Sequence, residues 1–352
     1  MQEKTYFDER SAKSLEKIRK IIDELPYYAE EFFVGIENRT TPLTRLNYAY
    51  DLRIFFDFLS KKTFKGKHAA EISLDDLNNL ASSDIELFLS YLSRYTVNGK
   101  TESCNERGKA RKLATIRSFF KYFFNKGSLT ANTAAKVSMP KLHDKEIIRL
   151  ESNGKINEIA AILNTADTGN GLTQKQQQFH KLTRIRDVAI LTLFLGTGIR
   201  ISELVGLDTE DIDFGTNAFV VTRKGGDRKM LYFGMEVKAS LEDYAIERNN
   251  NPFAADERAF FLSLQNTRIS TRTVQELVKK YAKIVSPLKK ITPHKLRSTF
   301  GTNLYRETHD IYVVAATLGH KDVNTTKKHY ADITDDIIKR AVTSVKLRDK
   351  DD

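Results

Sequence analysis

The stretch RIRDVAILTLFLGTGIRISELVGL, residues 184–207, holds a helix, a stop and a second start. From Val188 to Leu195 it is apolar apart from Thr192, as expected of a helix buried on most of its sides. Gly196 and Gly198 bring that helix to a halt, since glycine supplies the conformations that end helices. Arg200 follows the Gly-x-Gly break directly, and SELVGL suits a short helix. A guanidinium is thereby expected at a helix start beside open space.

Outward from this point the chain alternates helices with one small sheet. AFVVTRKGGDRKMLYF, residues 218–233, has two strand-like runs around Gly225-Gly226, a hairpin signal that puts Lys224 at the turn. STRTVQELVKKYAKIV, residues 270–285, is helical in its spacing. TPHKLRSTFGTNLYRE, residues 292–307, opens with Thr292 as cap and Pro293 at the first helical position. His294 and Arg297, three apart, then share a face. The polar run NTADTGNGLTQKQQQFHKL, residues 164–182, reads as a long, mobile surface loop.

Upstream, only helices are expected, from about residue 8 onward. ERSAKSLEKIRKIIDEL and YYAEEFFVGIE flank Pro26, and in residues 41–62 Leu52, Phe55, Phe56 and Leu59 recur at steps of three and four. SLDDLNNL and SDIELFLSYLSRY each begin with a serine followed by acidic residues, a plausible N-cap. In residues 106–127, Leu113, Ile116, Phe120 and Phe123 form a stripe, and Arg107, Arg111, Lys112, Arg117 and Lys121 make the remaining surface basic. These five are the candidate DNA-binding residues, facing phosphates or a major groove, although a solvated helix face would look the same. KVSMPKLHDKEIIRLES, residues 136–152, reads as a linker. The expected division is a helical domain over 1–145, with linker near 136–150, and a mixed α/β domain over 146–352. The fold class is mainly α with a small antiparallel β-sheet.

A net charge of +11 and a pI near 9.4 call for a polyanionic partner, nucleic acid first and an anionic membrane surface second. No apolar run approaches the roughly 20 residues that span a bilayer, and the first residues lack the apolar core of a signal peptide. Cys104 is the single cysteine, which excludes a disulfide framework and a thiolate metal cluster. A soluble, cytoplasmic protein is expected.

Arg200, Lys224, His294, Arg297, His320 and Tyr330 are the polar groups that punctuate these elements. They do not make a metal site, because no carboxylate cluster accompanies them and Arg and Lys are not ordinary ligands. They suit phosphoryl transfer without a metal or cofactor. Arginine forks match the non-bridging oxygens of a phosphodiester, a tyrosine oxygen can attack phosphorus, and a lysine can protonate a departing 5′ oxygen. Taken singly, each has a blander reading as a cap, a turn residue or a core aromatic; only the joint set reverses it.

LGTGIRISEL, RKGG, TPHKLRSTFGTNL, LGH and the tyrosine in KKHYAD occur in that order over roughly residues 185–335. In order and separation they resemble the boxes of the tyrosine recombinase (phage integrase) family, and the N-terminal helices resemble its core-binding domain with weaker motifs. The resemblance implies a site-specific DNA recombinase that cuts and rejoins DNA through a 3′-phosphotyrosine. Arg200 and Arg297 would bind the scissile phosphate, Lys224 would protonate the 5′ hydroxyl, and His294 would give acid–base support. His320 would hydrogen-bond the phosphate, Tyr330 would be the nucleophile, and Glu203 would orient Arg200. One departure stands out: Tyr330 lies ten residues after His320, whereas compact Xer-type members resemble one another in a spacing of nine, where this chain has His329. Other integrases share the longer spacing, and histidine forms no phosphotyrosine.

Past the tyrosine, Ile337, Ile338, Ala341, Val342 and Val345 form one helical stripe. It can pack on its own domain; the resemblance favours exchange of a helix at about 335–348 into a neighbouring protomer. The implied assembly is a homo-tetramer on two duplexes with inverted-repeat sites. With no β-rich domain expected before the core-binding segment, the chain is similar to Xer-like resolvases or small mobile-element integrases. A catalytically silent DNA-binding regulator and a type IB topoisomerase-like activity are the alternatives.

Overall fold

The structure, a computed structural model, describes residues 5–97, 99–143, 148–153, 156–223, 226–254 and 258–319. The chain divides into two compact units, Met1–Lys145 and Glu146–Asp352.

The first unit is helical: α1 (Tyr6–Ile22), α2 (Ala29–Gly35), α3 (Pro42–Phe58), α4 (Leu74–Asn78) and α5 (Ser82–Tyr91), then α6 (Glu106–Asn125) and α7 (Thr133–Lys136). A small antiparallel hairpin, β1 (Tyr95–Val97) and β2 (Lys100–Glu102), stands between α5 and α6. It was not expected, since the helical pattern was read through to residue 95. The core is phenylalanine packed edge to face: Phe32, Phe55, Phe56, Phe88, Phe119, Phe120 and Phe123 are all fully buried. The periodic residues of α3 and α6 therefore lie where their spacing put them.

A charged hub sits within this apolar core. Asp51, on α3, is 1% exposed and accepts from both Nη atoms of Arg111 at 2.5 and 2.7 Å and from Thr115 Oγ1 at 2.9 Å. The Lys112 ammonium lies 3.3 Å from the same carboxylate. Lys112 is itself buried, so the phosphate contact expected of it is corrected: its charge is spent inside the unit.

The second unit contains a short hairpin, β3 (Ser152–Asn153) and β4 (Ile156–Asn157), followed by α8 (Glu158–Thr168), α9 (Gln174–Thr197) and α10 (Ile201–Val205). Next come β5 (Ile212–Asp213), β6 (Ala218–Thr222) and β7 (Arg228–Tyr232), an antiparallel sheet in that order with Val220 opposite Met230. Then follow α11 (Met235–Asn249), α12 (Thr271–Val285), α13 (Pro293–Thr308) and α14 (Ile311–Leu318). Helix α9 is central, packing on α8, α11 and α13. The long loop expected over 164–182 is instead the end of α8, a turn and the start of α9. Gly169 closes α8 in the left-handed conformation, and Thr173 and Gln176 cap α9 reciprocally. Glutamine and lysine are good helix formers, so polarity alone did not make this a loop. No helix among the described residues is long and apolar enough to cross a membrane.

Candidate active site

Two helix ends build the site. Helices α9 and α14 both stop at a left-handed glycine, Gly198 (φ 62°) and Gly319 (φ 64°). A Cβ on Gly198 would approach Phe300 to 2.5 Å, and one on Gly319 would collide with the Arg223 guanidinium. Gly198 therefore needs glycine for space as well as for backbone conformation, and Gly319 needs it for backbone conformation. The carbonyls left over at these helix ends carry partial negative charge and lack intrahelical donors, which makes them acceptors for guanidinium groups.

Arginines take them. Arg297, on the buried side of α13, donates from Nη1 to Gly198 O at 2.5 Å and from Nη2 to Leu318 O. Arg200, the residue before α10, donates from Nη2 to Gly319 O at 3.2 Å and from Nη1 to Glu203 Oε1 at 2.8 Å. The Arg200 backbone N–H donates to the other Glu203 oxygen at 3.0 Å, so one carboxylate caps α10 and aims the guanidinium. Glu203 is 3% exposed and the Arg200 side chain 37%, so the charge is anchored from below and open above. Arg200, Glu203 and Arg297, distant in sequence, are thus gathered around the Leu318–Gly319 turn. His294 is exposed one turn before Arg297 on α13. Lys224, His320, Tyr330 and the helix expected at 335–348 lie outside the described residues.

The hairpin carries three further cations near Lys224: Arg223, Arg228 and Lys229. Of the three neighbours, Arg228 pairs with Asp211 at 3.1 Å and Lys229 donates to Ala316 O at 2.8 Å. Arg223 instead turns inward, with Nε 3.8 Å from Glu203 Oε1. Its position beside Lys224 was the signal, but the direction of its side chain was not readable.

In the first unit the remaining candidate DNA-binding residues differ in availability. Arg107 donates to His143 O at 3.1 Å and Arg111 is held bidentately by Asp51. Arg117 donates to the Ala134, Ala135 and Val137 carbonyls in and after α7. Lys121 is exposed, on a groove of about 480 Å³ that also presents Arg39, Tyr48 and Lys126.

Comparison with known proteins gives the family. Residues 155–336 match the model of the phage integrase family, and residues 29–127 match the phage integrase N-terminal SAM-like domain. The chain belongs to the phage integrase family. It is 33% identical over 329 residues to the tyrosine recombinase XerC of Caldanaerobacter subterraneus, covering 90% of this chain and 86% of that protein. It is 31% identical over 350 residues to the tyrosine recombinase XerS of Streptococcus agalactiae, covering 93% and 98%. Among solved structures, XerH site-specific recombinase bound to a palindromic difH substrate shares the fold, with TM-score 0.64 and 18% identity, over 86% of this chain and 80% of that one. A lambda integrase dimer bound to a core site does so at TM-score 0.58 and 18% identity, over 86% and 93%. As a phage integrase family member, the protein is a tyrosine-type site-specific DNA recombinase. Neither the silent-regulator nor the topoisomerase reading gains support from these relatives.

Proposed function

We propose that the protein cuts and rejoins double-stranded DNA through a covalent 3′-phosphotyrosine on Tyr330. The observation that carries this reading is the pair of anchored guanidiniums, Arg200 and Arg297, around one turn that leads directly to His320. Their forks bind the non-bridging oxygens of the scissile phosphate and stabilise the charge that builds there in the transition state. The Tyr330 oxygen forms a bond to phosphorus while the bond to the 5′ oxygen breaks. Lys224 gives that oxygen a proton, His294 accepts the proton that the Tyr330 hydroxyl loses, and His320 hydrogen-bonds the phosphate. The phosphodiester energy stays in the tyrosine linkage, so a 5′ hydroxyl of the partner strand reverses the step and completes the exchange.

The working assembly is four protomers on two duplexes with inverted-repeat sites, linked by exchange of the 335–348 helix. The XerH complex with its palindromic substrate and the lambda integrase dimer on a core site support DNA as the partner. Lys121, exposed on α6, is the DNA-phosphate contact that remains available in the first unit.

Trapping covalent protein–DNA complexes from cells and sequencing the attached DNA tests this reading. Wild type is expected to give signal at one inverted-repeat site and Tyr330→Phe none. Signal that survives Tyr330→Phe, or tight DNA binding with no covalent signal from wild type, overturns it.

A further inference from the structure

Arg223 ends the strand side of the β6–β7 hairpin, and the chemistry above gives it no task. Its side chain is 14% exposed, yet it is not satisfied where it lies. Among the described residues, Nε and Nη2 are both buried without a hydrogen-bond partner. Glu203 Oε1, at 3.8 Å, is beyond hydrogen-bonding distance and is already taken by Arg200 at 2.8 Å. Burial, opposed by Glu203 and reinforced by Arg200, draws the Arg223 guanidinium below the ordinary arginine value. An arginine nevertheless remains protonated, so this is a buried cation with unused donors, a costly arrangement unless an anion arrives.

Its surroundings show what that anion would be. The guanidinium lies against Gly319, whose carbonyl Arg200 holds and whose preceding carbonyl Arg297 holds. Three guanidiniums thus converge on one turn with one carboxylate, Glu203, between two of them. A brace that only fastened the hairpin would have its donors filled, as Lys229 does on Ala316 O. We infer that Arg223 is a third guanidinium of the scissile-phosphate site, donating from Nε and Nη2 to a non-bridging oxygen when DNA is bound. This inference rests on the proposed reading that the site takes a phosphodiester.

The test uses the DNA site recovered by covalent trapping, with either a normal phosphate or a methylphosphonate at the scissile position. Wild type must form the covalent adduct on normal DNA; failure there removes the functional reading and this inference with it. Arg223→Ala is expected to slow adduct formation roughly 10- to 100-fold, the effect of losing charge-assisted hydrogen bonds. Binding is then measured in a Tyr330→Phe background, with and without the Arg223→Ala substitution. The protein that keeps Arg223 should show a severalfold affinity loss for at least one methylphosphonate diastereomer, and Arg223→Ala should reduce that loss to the part that Arg200 and Arg297 carry. Arg223→Lys, which keeps the charge but loses the fork, should fall between and carries the same test if the alanine variant misfolds. An unchanged adduct rate, or the same methylphosphonate penalty with and without the arginine, overturns the inference.

Discussion

The two units each bury a carboxylate among cations, and they resolve it in opposite ways. Asp51 is closed: its side chain is fully buried, and Arg111, Lys112 and Thr115 fill its oxygens. Glu203 is open on its cation side: Arg200 takes one oxygen from Nη1 and the other from its backbone N–H, Arg223 stops short at 3.8 Å, and the Arg200 side chain stays more than a third exposed. A closed hub supports its own fold, whereas an open one keeps donors in reserve for an anion from outside. The distinction separates cations that hold the protein together from cations proposed to act on DNA.

The largest expected effect breaks the closed side. Asp51→Ala leaves Lys112 buried and unpaired, and should cost about 3–5 kcal/mol of stability, read as a lower midpoint in thermal unfolding followed by circular dichroism. An unchanged midpoint would mean that the hub carries no stability. Next, Arg297→Ala should reduce DNA cleavage by about 2.7–4 kcal/mol of transition-state stabilisation, measured as the single-turnover rate of adduct formation. A smaller loss is expected from Glu203→Gln, which loosens Arg200: about 1.5–3 kcal/mol in cleavage rate, with DNA affinity nearly unchanged. If affinity and rate fall together, Glu203 does not act by orienting the arginine.

The smallest effect belongs to an exposed pair in the first unit. Lys67 beside Asp76, at 2.6 Å, holds that carboxyl below the usual carboxylate range. Its depressed folded-state value means the contribution is present above the ordinary carboxylate pKa and is lost as pH falls through the folded one. Lys67→Ala should therefore change stability by less than about 1 kcal/mol at neutral pH, and by less still in acid.

Much of this contrast was legible in the sequence, for identifiable reasons. The apolar spacing of Phe55, Phe56, Phe120 and Phe123 reported the first core, and Gly225-Gly226 between two strand-like runs reported the hairpin. Arg200 and Arg297 were visible because helix stops and caps mark where side chains stand. Lys112 was misassigned although a signal existed: it lies four residues before Ile116, on the buried face, as Asp51 lies four before Phe55. A charge on each of two apolar faces announces an internal pair. The inward turn of Arg223 had no such signal, since at the end of a strand the side chain's direction depends on what α14 and Gly319 leave open.

The most direct test of the account is to digest the trapped adduct and map by mass spectrometry the residue that carries the DNA 3′ phosphate. The remnant is predicted on Tyr330, ten residues after His320, as a base-stable phosphotyrosine. A remnant on His329, or on any residue other than Tyr330, would contradict it.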